Sequence, residues 1–255
     1  NFIHYCKLGG YDVVSYNWPG CGEHTLNYLE MSTLGDSTDL SIMLKHIKKQ
    51  CPDTPLYGVG FSLGANLLLR YLGQVKTATP LKSAIALSAG YCGKSGYYLM
   101  QKNSFYSKKL VKKWKDVVLK SEEIWKDHPS LDATQIKKAE TLEDLDAAFS
   151  AKILQYESTV DYYIDHGSID WLEHIRIPTL LLNALDDPII EASLVDLAKA
   201  KIPGNDNLIL ATTKYGGHMG WVRSPGIWSP EAELWMDRVC IEYIEAIRAT
   251  LGTSP

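Results

Sequence analysis

The sequence predicts an α/β fold in which a mostly parallel sheet is flanked by helices. Three observations point to it: short β-branched or aliphatic runs recur along the chain, segments with helical periodicity separate them, and glycine or proline residues bound them. Strands that alternate with helices imply right-handed crossovers, which place the strands parallel in one sheet. The 255 residues, 45% of them hydrophobic and 22% charged, are enough to bury a sizeable core.

The first part of the chain alternates predicted strands and helices. Apolar runs between turn residues predict strands over residues 11–16, 56–60 and 81–88. Apolar residues at helical spacing predict helices over residues 36–50 and 65–72. These repeated units supply the first strands of the expected sheet.

The alternation stops at about residue 90 and returns at about residue 175. The segment between is rich in Lys, Tyr, Trp and Ser and has helical periodicity without strand patterns, so we expect a helical insertion that acts as a lid. Residues 178–184 and 207–212 restore the strand pattern, and a final helix is predicted over residues 230–250. We therefore expect a single domain over residues 1–255, with a lid insertion at about 90–175.

Composition argues against several classes of protein. A formal net charge of −4 disfavours a nucleic-acid binder with a basic surface, so nucleic acid is not an expected partner. The five cysteines are odd in number and contain no C-x-x-C pair, which disfavours a disulfide framework or a zinc site and favours a reducing compartment. No apolar run approaches the ~18–20 residues that span a bilayer. We expect neither a metal nor a cofactor.

The strongest chemical signal is the G-x-S-x-G pattern of residues 60–64, between a predicted strand and a predicted helix. A sharp strand-to-helix turn holds a serine in a strained conformation, and glycines two residues before and after it let the flanking elements approach closely. Ser62 is then exposed at the carboxyl end of the sheet, and the amide N–H of Leu63 points toward a developing oxyanion. A dinucleotide-binding loop is disfavoured because no acidic residue follows about 20 positions on. Glycines that serve only close packing are a further alternative.

A serine hydroxyl needs a base, and the base needs a carboxylate that orients it. His218 is the candidate base, because it lies in the glycine-rich run YGGHMG after the last predicted strand. Asp187 is the candidate acid, because it follows the preceding strand and Pro188 fixes the backbone after it. Asp186 is the second choice, since adjacent side chains at a strand end point in different directions. The other histidines are interpreted as surface or locally hydrogen-bonded residues: His4, His24, His46, His128, His166 and His174.

Three longer motifs resemble those of one family. GVGFSLGANLLLRYLG, PTLLLNALDDP and YGGHMGW are similar to motifs of the AB hydrolase 4 family, a branch of the α/β-hydrolases with YheT-like esterases and eukaryotic membrane-anchored lipid hydrolases. Weaker matches, among them NWPGCGE and LEHIRIP, extend the resemblance over nearly the whole chain. It implies the α/β-hydrolase fold, serine esterase or lipase activity on acyl esters, and a triad of Ser62, Asp187 and His218.

The sequence departs from the family pattern in two places. The turn after the first strand, which reads Arg-Gly-Cys in the family, is Pro19-Gly20-Cys21 here. The family also has an upstream strand beside the one that leads to Ser62, and a loop whose N–H completes the oxyanion hole. We therefore expect the sequence to be a fragment, with its first strands, the second oxyanion donor and any membrane-attaching segment upstream of residue 1.

A basic amphipathic helix is predicted within the insertion, between Phe105 and Lys126. Its polar side is strongly basic, with lysines at positions 108, 109, 112, 113, 115 and 120. Such a helix can line an acyl pocket as part of a lid, or rest on an anionic lipid surface as a peripheral membrane contact. An ordinary packed helix with a solvated lysine face explains the same pattern.

Two classes of function fit these observations. The first is a serine hydrolase of the carboxylesterase, monoacylglycerol lipase or phospholipase type, which cleaves small acyl-ester or lipid substrates through an acyl-enzyme. The second is a non-catalytic lipid-binding or interaction module on the same fold. A transacylase is a further alternative, since an acyl-enzyme can transfer its acyl group to an alcohol instead of water.

Overall fold

A four-stranded parallel sheet organises the first of two compact units. In the computed structural model, which describes residues 2–21, 29, 36–91, 104–222 and 234–252, the strand order is β1–β2–β3–β4. The bounds are Leu56–Phe61 for β1, Leu81–Leu87 for β2, Thr179–Ala184 for β3 and Leu208–Thr213 for β4. The predicted parallel sheet with its flanking helices is confirmed, and these four strands lie within one residue of their predicted bounds.

The register of the sheet brings the carboxyl ends of the strands to one edge. Phe61 pairs with Leu87, Leu87 pairs with Leu182, and Ala184 pairs with Thr213. β3 is buried along its whole length and β2 along nearly all of it, as expected for interior strands of a parallel sheet. The loops that follow the strands therefore meet at this edge, where open α/β sheets bind their ligands.

Helices complete both units. Among the described residues they are, in chain order, α1 (Phe2–Leu8), α2 (Thr38–Gln50), α3 (Leu63–Val75), α4 (Ser104–Lys120), α5 (Glu122–Trp125), α6 (Ala133–Lys138), α7 (Leu142–Leu145), α8 (Ala151–Ile153), α9 (Thr159–His166), α10 (Ala192–Lys201) and α11 (Trp235–Leu251). Short 3₁₀ turns at Lys76–Ala78 and Ile169–His174 and a π-helical turn at Asp146–Ser150 connect some of them. None of the helices in the described part of the chain has the length and apolarity that a bilayer crossing requires.

The first unit comprises residues 1–15, 37–91 and 168–255, and its helices pack on the sheet. α11 shows how. Met236, Cys240 and Ile244 recur every four residues on one face of the helix, are buried, and pack with Ile85 and Leu180 of the sheet. The burial of this stripe explains why a helix with charged residues on its other face is stable here.

The second unit comprises residues 16–36 and 92–167 and is helical over its described residues. Its core is a cluster around Trp125, whose indole N–H donates to the carbonyl of Val118 at 2.8 Å and whose ring meets Phe149 edge-on. Thr141 and Asp144 form a capping box at the start of α7, which supplies the unpaired backbone N–H groups with partners. The single-domain organisation and the lid role of residues 90–175 stay predictions.

Two local predictions are wrong. Residues 11–16 form no strand, because no described strand pairs with them and an isolated strand leaves its backbone groups unpaired. The last helix begins at Trp235, not at residue 230, because Leu234 has an extended backbone and bridges to Val222. The residues between, including Pro230, lie outside the described ones. A short helix, α1, was not predicted at all.

Candidate active site

Ser62 occupies a sharp turn between β1 and α3. Its backbone has φ 51° and ψ −114°, a conformation that costs a non-glycine residue of order 1–3 kcal/mol. Its N–H donates to the carbonyl of Leu87 at 2.8 Å, which ties the turn to the neighbouring strand. A Cβ at Gly60 would lie 2.7 Å from the Cα of Ala65, so glycine is required there for the helix to start so close to the strand. A Cβ at Gly64 would meet nothing within 4 Å, so crowding explains the first glycine and not the second.

His218 reaches Ser62 from the loop after β4. Its Nε2 lies 2.9 Å from the Oγ of Ser62, within hydrogen-bond distance. The two residues are separated by 156 positions in the sequence, and only the parallel packing of β1 and β4 into one sheet brings their loops to the same edge. The side chain of His218 is 14% exposed, so the imidazole is held against protein while one side stays accessible.

The loop that carries His218 is fixed by close backbone contacts. A Cβ at Gly216 would lie 2.3 Å from the indole nitrogen of Trp221, so the loop backbone lies directly on that ring. The same indole N–H donates to the hydroxyl of Thr213 at the end of β4, at 2.8 Å. Gly217 and Met219, on either side of the histidine, both have positive φ, at 55° and 66°. Gly216 and Gly217 thus allow a tight turn that packs against Trp221.

Asp187 completes a hydrogen-bond chain. Its Oδ2 lies 2.8 Å from Nδ1 of His218, and its side chain is fully buried. Its Oδ1 accepts from the backbone N–H groups of Ile189 and Ile190 at 2.8 and 3.0 Å. With Nδ1–H donated to the carboxylate, Nε2 carries the free lone pair and faces the hydroxyl of Ser62. The structure therefore brings Ser62, His218 and Asp187 together in the order that the sequence predicts.

Asp186, the second choice for the acid, has a different contact. Its side chain is exposed, and Oδ1 accepts from the backbone N–H of Gly217 at 2.8 Å, next to His218. The two adjacent aspartates thus hold the same loop. Asp187 binds the imidazole of His218, and Asp186 binds the backbone N–H of Gly217. This contact of Asp186 with the histidine loop was not predicted from the pair of acids in LDDP.

A buried network behind the acid was also missed. The hydroxyl of Tyr91, which is fully buried, donates to Oδ1 of Asn183 at 2.5 Å, and the amide of Asn183 donates to the carbonyl of Ala89 at 3.3 Å. The carbonyl of Tyr91 accepts from the N–H of Ser168 at 2.7 Å. Burial raises the pKa of the Tyr91 phenol well above its usual range, so it remains a hydrogen-bond donor. This network joins the carboxyl ends of β2 and β3, from which Asp187 projects.

Leu63 is the first residue of α3, so its N–H is one of the four at the helix start that have no carbonyl partner within the helix. The helix dipole adds partial positive charge there, next to the Oγ of Ser62. Its role toward an oxyanion stays a prediction, as does the second donor upstream of residue 1. Within the described residues, no three His, Cys, Asp or Glu side chains cluster in a way that could hold a metal ion.

The class of protein follows from the parallel sheet, the strand-to-helix turn at Ser62 and comparison with solved structures. The esterase Pf2001 of Pyrococcus furiosus superposes with a TM-score of 0.57 at 16% sequence identity, over 97% of this chain and 74% of the esterase. This similarity shows a shared fold. The chain therefore has the α/β-hydrolase fold that the sequence motifs imply.

The family is shown by a match over most of the chain. The model of the Hydrolase_4 family, described as serine aminopeptidase, S33, matches residues 1–213, and the chain belongs to this family. Among curated proteins, it is 29% identical to phospholipase ABHD3 of Bos taurus over 97% of its length, and 28% identical to monoacylglycerol lipase ABHD2 of Mus musculus over 96%. The chain spans 59% and 61% of the length of these two relatives.

Proposed function

We propose that the protein is a serine hydrolase that cleaves carboxylic ester bonds of acyl or lipid substrates through an acyl-enzyme. The observation that carries this proposal is the unbroken hydrogen-bond chain from Asp187 through His218 to Ser62, at 2.8 and 2.9 Å. A serine hydroxyl becomes a nucleophile at neutral pH when a positioned imidazole accepts its proton in the transition state.

The residues of this hydrogen-bond chain, together with the Leu63 N–H, have distinct roles in the proposed reaction. The Oγ of Ser62 attacks the ester carbonyl while Nε2 of His218 takes its proton, and the Leu63 N–H donates to the oxyanion that forms. The imidazolium then gives the proton to the leaving alcohol as the C–O bond breaks, which leaves an acyl-enzyme. Water attacks the acyl carbon with His218 again as base, and the carboxylic acid leaves as Ser62 regains its proton. Asp187 holds the imidazole in the required tautomer and stabilises its charged form throughout.

The relatives support the choice of an ester substrate. One is named a phospholipase and another a monoacylglycerol lipase, so both names point to lipid hydrolysis, and the second specifies an acyl ester of glycerol. The family description names an aminopeptidase instead, so a peptide amide is the competing substrate class. Parallel assays with a p-nitrophenyl acyl ester, a monoacylglycerol and an aminoacyl p-nitroanilide separate the two classes, and we expect turnover of the esters alone.

The test of the mechanism is covalent labelling. A fluorophosphonate probe is expected to label the purified protein at one site and to leave Ser62→Ala unlabelled, with kcat on an ester lowered about 10⁵–10⁶-fold. Ser193→Ala, which removes an exposed hydroxyl on α10, is the matched control and is expected to label like the parent protein. Equal labelling of Ser62→Ala and the control contradicts the proposal. Lipid binding without labelling or turnover in the parent protein identifies a non-catalytic module instead.

A further inference from the structure

A strongly basic surface lies on one face of α4, in the second unit. Positions 105, 109, 112, 113, 116 and 120 share this face because they recur at helical spacing. The opposite face carries Val111 and Val118, which are buried in the core cluster around Trp125. Packing therefore fixes the helix in one orientation and leaves its basic face in solvent.

Four lysines of this face converge on a pocket of about 430 Å³. We call it the lysine pocket. Its lining includes Lys109, Lys112, Lys113 and Lys120, together with Cys21 and Asp116. All four lysines are exposed, and none forms an ion pair with a carboxylate in the described part of the chain. Among the described lining residues, one carboxylate thus faces four ammonium groups, so their summed charge is positive.

Other lysines of the same unit have partners. Lys115 donates to the carbonyl groups of Lys137 and Ala139 at 3.2 and 2.8 Å, which fastens α4 to the end of α6. Lys137 forms an ion pair with Glu122 at 3.0 Å. The lysines with a structural role are therefore a different set from those of the pocket, and the fold does not require the charge of the pocket lysines.

Two exposed aromatic side chains lie one turn from the pocket. Phe105 is 59% exposed and Tyr106 is 36% exposed, with their rings in edge-on contact. The ammonium group of Lys109 lies 4.5 Å from the centre of the Phe105 ring. Exposed aromatic rings beside lysines are the arrangement that interfacial helices use, with the rings among the headgroups and the ammonium groups on lipid phosphates.

We propose that the lysine pocket and the adjacent aromatic pair dock this protein on an anionic lipid surface, with lipid phosphate groups as the ligands of the pocket lysines. Phosphate is the ligand that fits, because it offers several acceptor oxygens and a negative charge to ammonium groups that form no ion pair with a described carboxylate. The proposal does not rest on the proposed hydrolase activity, since Ser62, His218 and Asp187 take no part in it. Ser62→Ala is therefore expected to bind vesicles like the parent protein.

Sedimentation with vesicles is the first test. The protein is expected to bind vesicles of phosphatidylcholine with phosphatidylserine, and to bind vesicles of phosphatidylcholine alone only weakly. Replacing all four pocket lysines by Gln is expected to lower the partition coefficient about 10²–10³-fold at ~0.1 M salt, since each interfacial lysine contributes about fivefold. The matched control replaces four exposed lysines of the first unit, Lys45, Lys49, Lys82 and Lys199, by Gln and removes the same total charge.

The outcomes are distinct. A change of less than about threefold in the control, with the large loss confined to the pocket variant, supports docking through the pocket, because long-range charge is screened beyond about 10 Å. An equal loss in both variants, or equal binding to neutral vesicles, overturns the proposal. Replacing the four pocket lysines by Arg keeps the charge and is expected to keep binding; loss of binding with an unchanged circular dichroism spectrum would also contradict it.

Cys21 gives a second, local measurement. It is a partly exposed free thiol that lines the pocket, so its alkylation rate reports whether the pocket is occupied. In a Cys51→Ser, Cys92→Ser background, anionic vesicles are expected to slow alkylation of Cys21 at least about fivefold through occlusion. Millimolar inorganic phosphate is expected to leave the rate unchanged. Equal protection by phosphate assigns the pocket to a soluble phosphorylated ligand and overturns docking on lipid.

Discussion

Two carboxyl groups, one in each unit, are shielded from solvent in different ways. Asp187 in the first unit receives two backbone N–H groups and an imidazole nitrogen. Asp146 in the second unit lies in a π-helical turn and receives the hydroxyl groups of Tyr163 and Ser150, at 2.6 and 2.8 Å. Burial raises the pKa of Asp146 to about 6, with a smaller contribution from Glu143 in the same direction, although the two hydroxyls oppose it.

The difference lies in what each set of partners can do. A backbone N–H only donates, so it matches an ionised carboxylate, which only accepts. A hydroxyl both donates and accepts, so it can serve a carboxylate or a neutral carboxylic acid equally well. The donors around Asp187 therefore match a carboxylate only in its accepting form, whereas those around Asp146 match either protonation state. The type of donor around a shielded carboxyl group thus separates a candidate catalytic acid from a structural one.

The largest expected effect concerns the hydrogen bond between Asp187 and His218. Asp187→Asn is expected to lower kcat on a p-nitrophenyl ester about 10⁴-fold with little change in KM, because the amide NH₂ presents a donor to Nδ1 and favours the wrong tautomer. Asp196→Asn, an exposed change on α10, is the control and should leave kcat unchanged. Activity of Asp187→Asn within tenfold of the parent protein would show that the orienting acid lies elsewhere.

The next effect tests the carboxyl group that tolerates protonation. The pKa of Asp146 is higher in the folded chain than in the unfolded chain, so the folded state binds the proton more tightly. Its contribution to the free energy of unfolding is therefore present at low pH and is lost as the pH rises from about 4 through 6, by on the order of 3 kcal/mol in all. Urea unfolding of Asp146→Asn is expected to lack this decline, and the difference between variant and parent protein measures it.

Asp144 supplies a control of opposite sign on a neighbouring turn. Burial is the largest single influence on its pKa and raises it, but the hydroxyl of Thr141 and the backbone N–H groups of Glu140 and Thr141 together lower the pKa below its ordinary value. The stability that depends on the charge of Asp144 is present at neutral pH and is lost as the pH falls through its folded pKa. Asp144→Asn should thus remove a decline toward acid. The same pH dependence in both variants would refute the distinction between the two groups.

The smallest effect concerns the second aspartate of the pair. Asp186→Ala removes the acceptor of the Gly217 N–H and is expected to lower kcat about tenfold, since the loop that positions His218 loses the hydrogen bond next to the histidine. Asp186→Asn keeps an acceptor oxygen and is expected to restore most of the activity. KM should change less than kcat in both. A loss in Asp186→Asn as large as that in Asp187→Asn would give the two carboxylates the same role.

Much of this site could be predicted because its signals are local. The G-x-S-x-G pattern is typical of a sharp strand-to-helix turn. The serine, the acid and the histidine each follow a strand, so their order in the sequence is the order of those strands. Ser62, Asp187 and His218 are predicted from their motifs, from Pro188 after the acid and from the family resemblance, and the structure places them in contact. Their catalytic roles stay predictions.

The features that escaped prediction depend on distant neighbours. The hydrogen bond of Asp186 to Gly217 joins residues 31 positions apart, and that between Tyr91 and Asn183 joins residues 92 apart, so no local pattern announces either. Residues 11–16 have the composition of a strand, but a strand exists only where another strand pairs with it. The start of the last helix depends on the bridge between Val222 and Leu234, which composition does not reveal.

The positive φ at Ser62 places a steric cost on any side chain at this turn. Glycine adopts such a conformation without steric penalty, so a chain with glycine at this position would relieve the strain at the turn and lose the hydroxyl. The serine at this position thus keeps a hydroxyl at the carboxyl edge of the sheet, at a cost in backbone strain that a glycine would not carry.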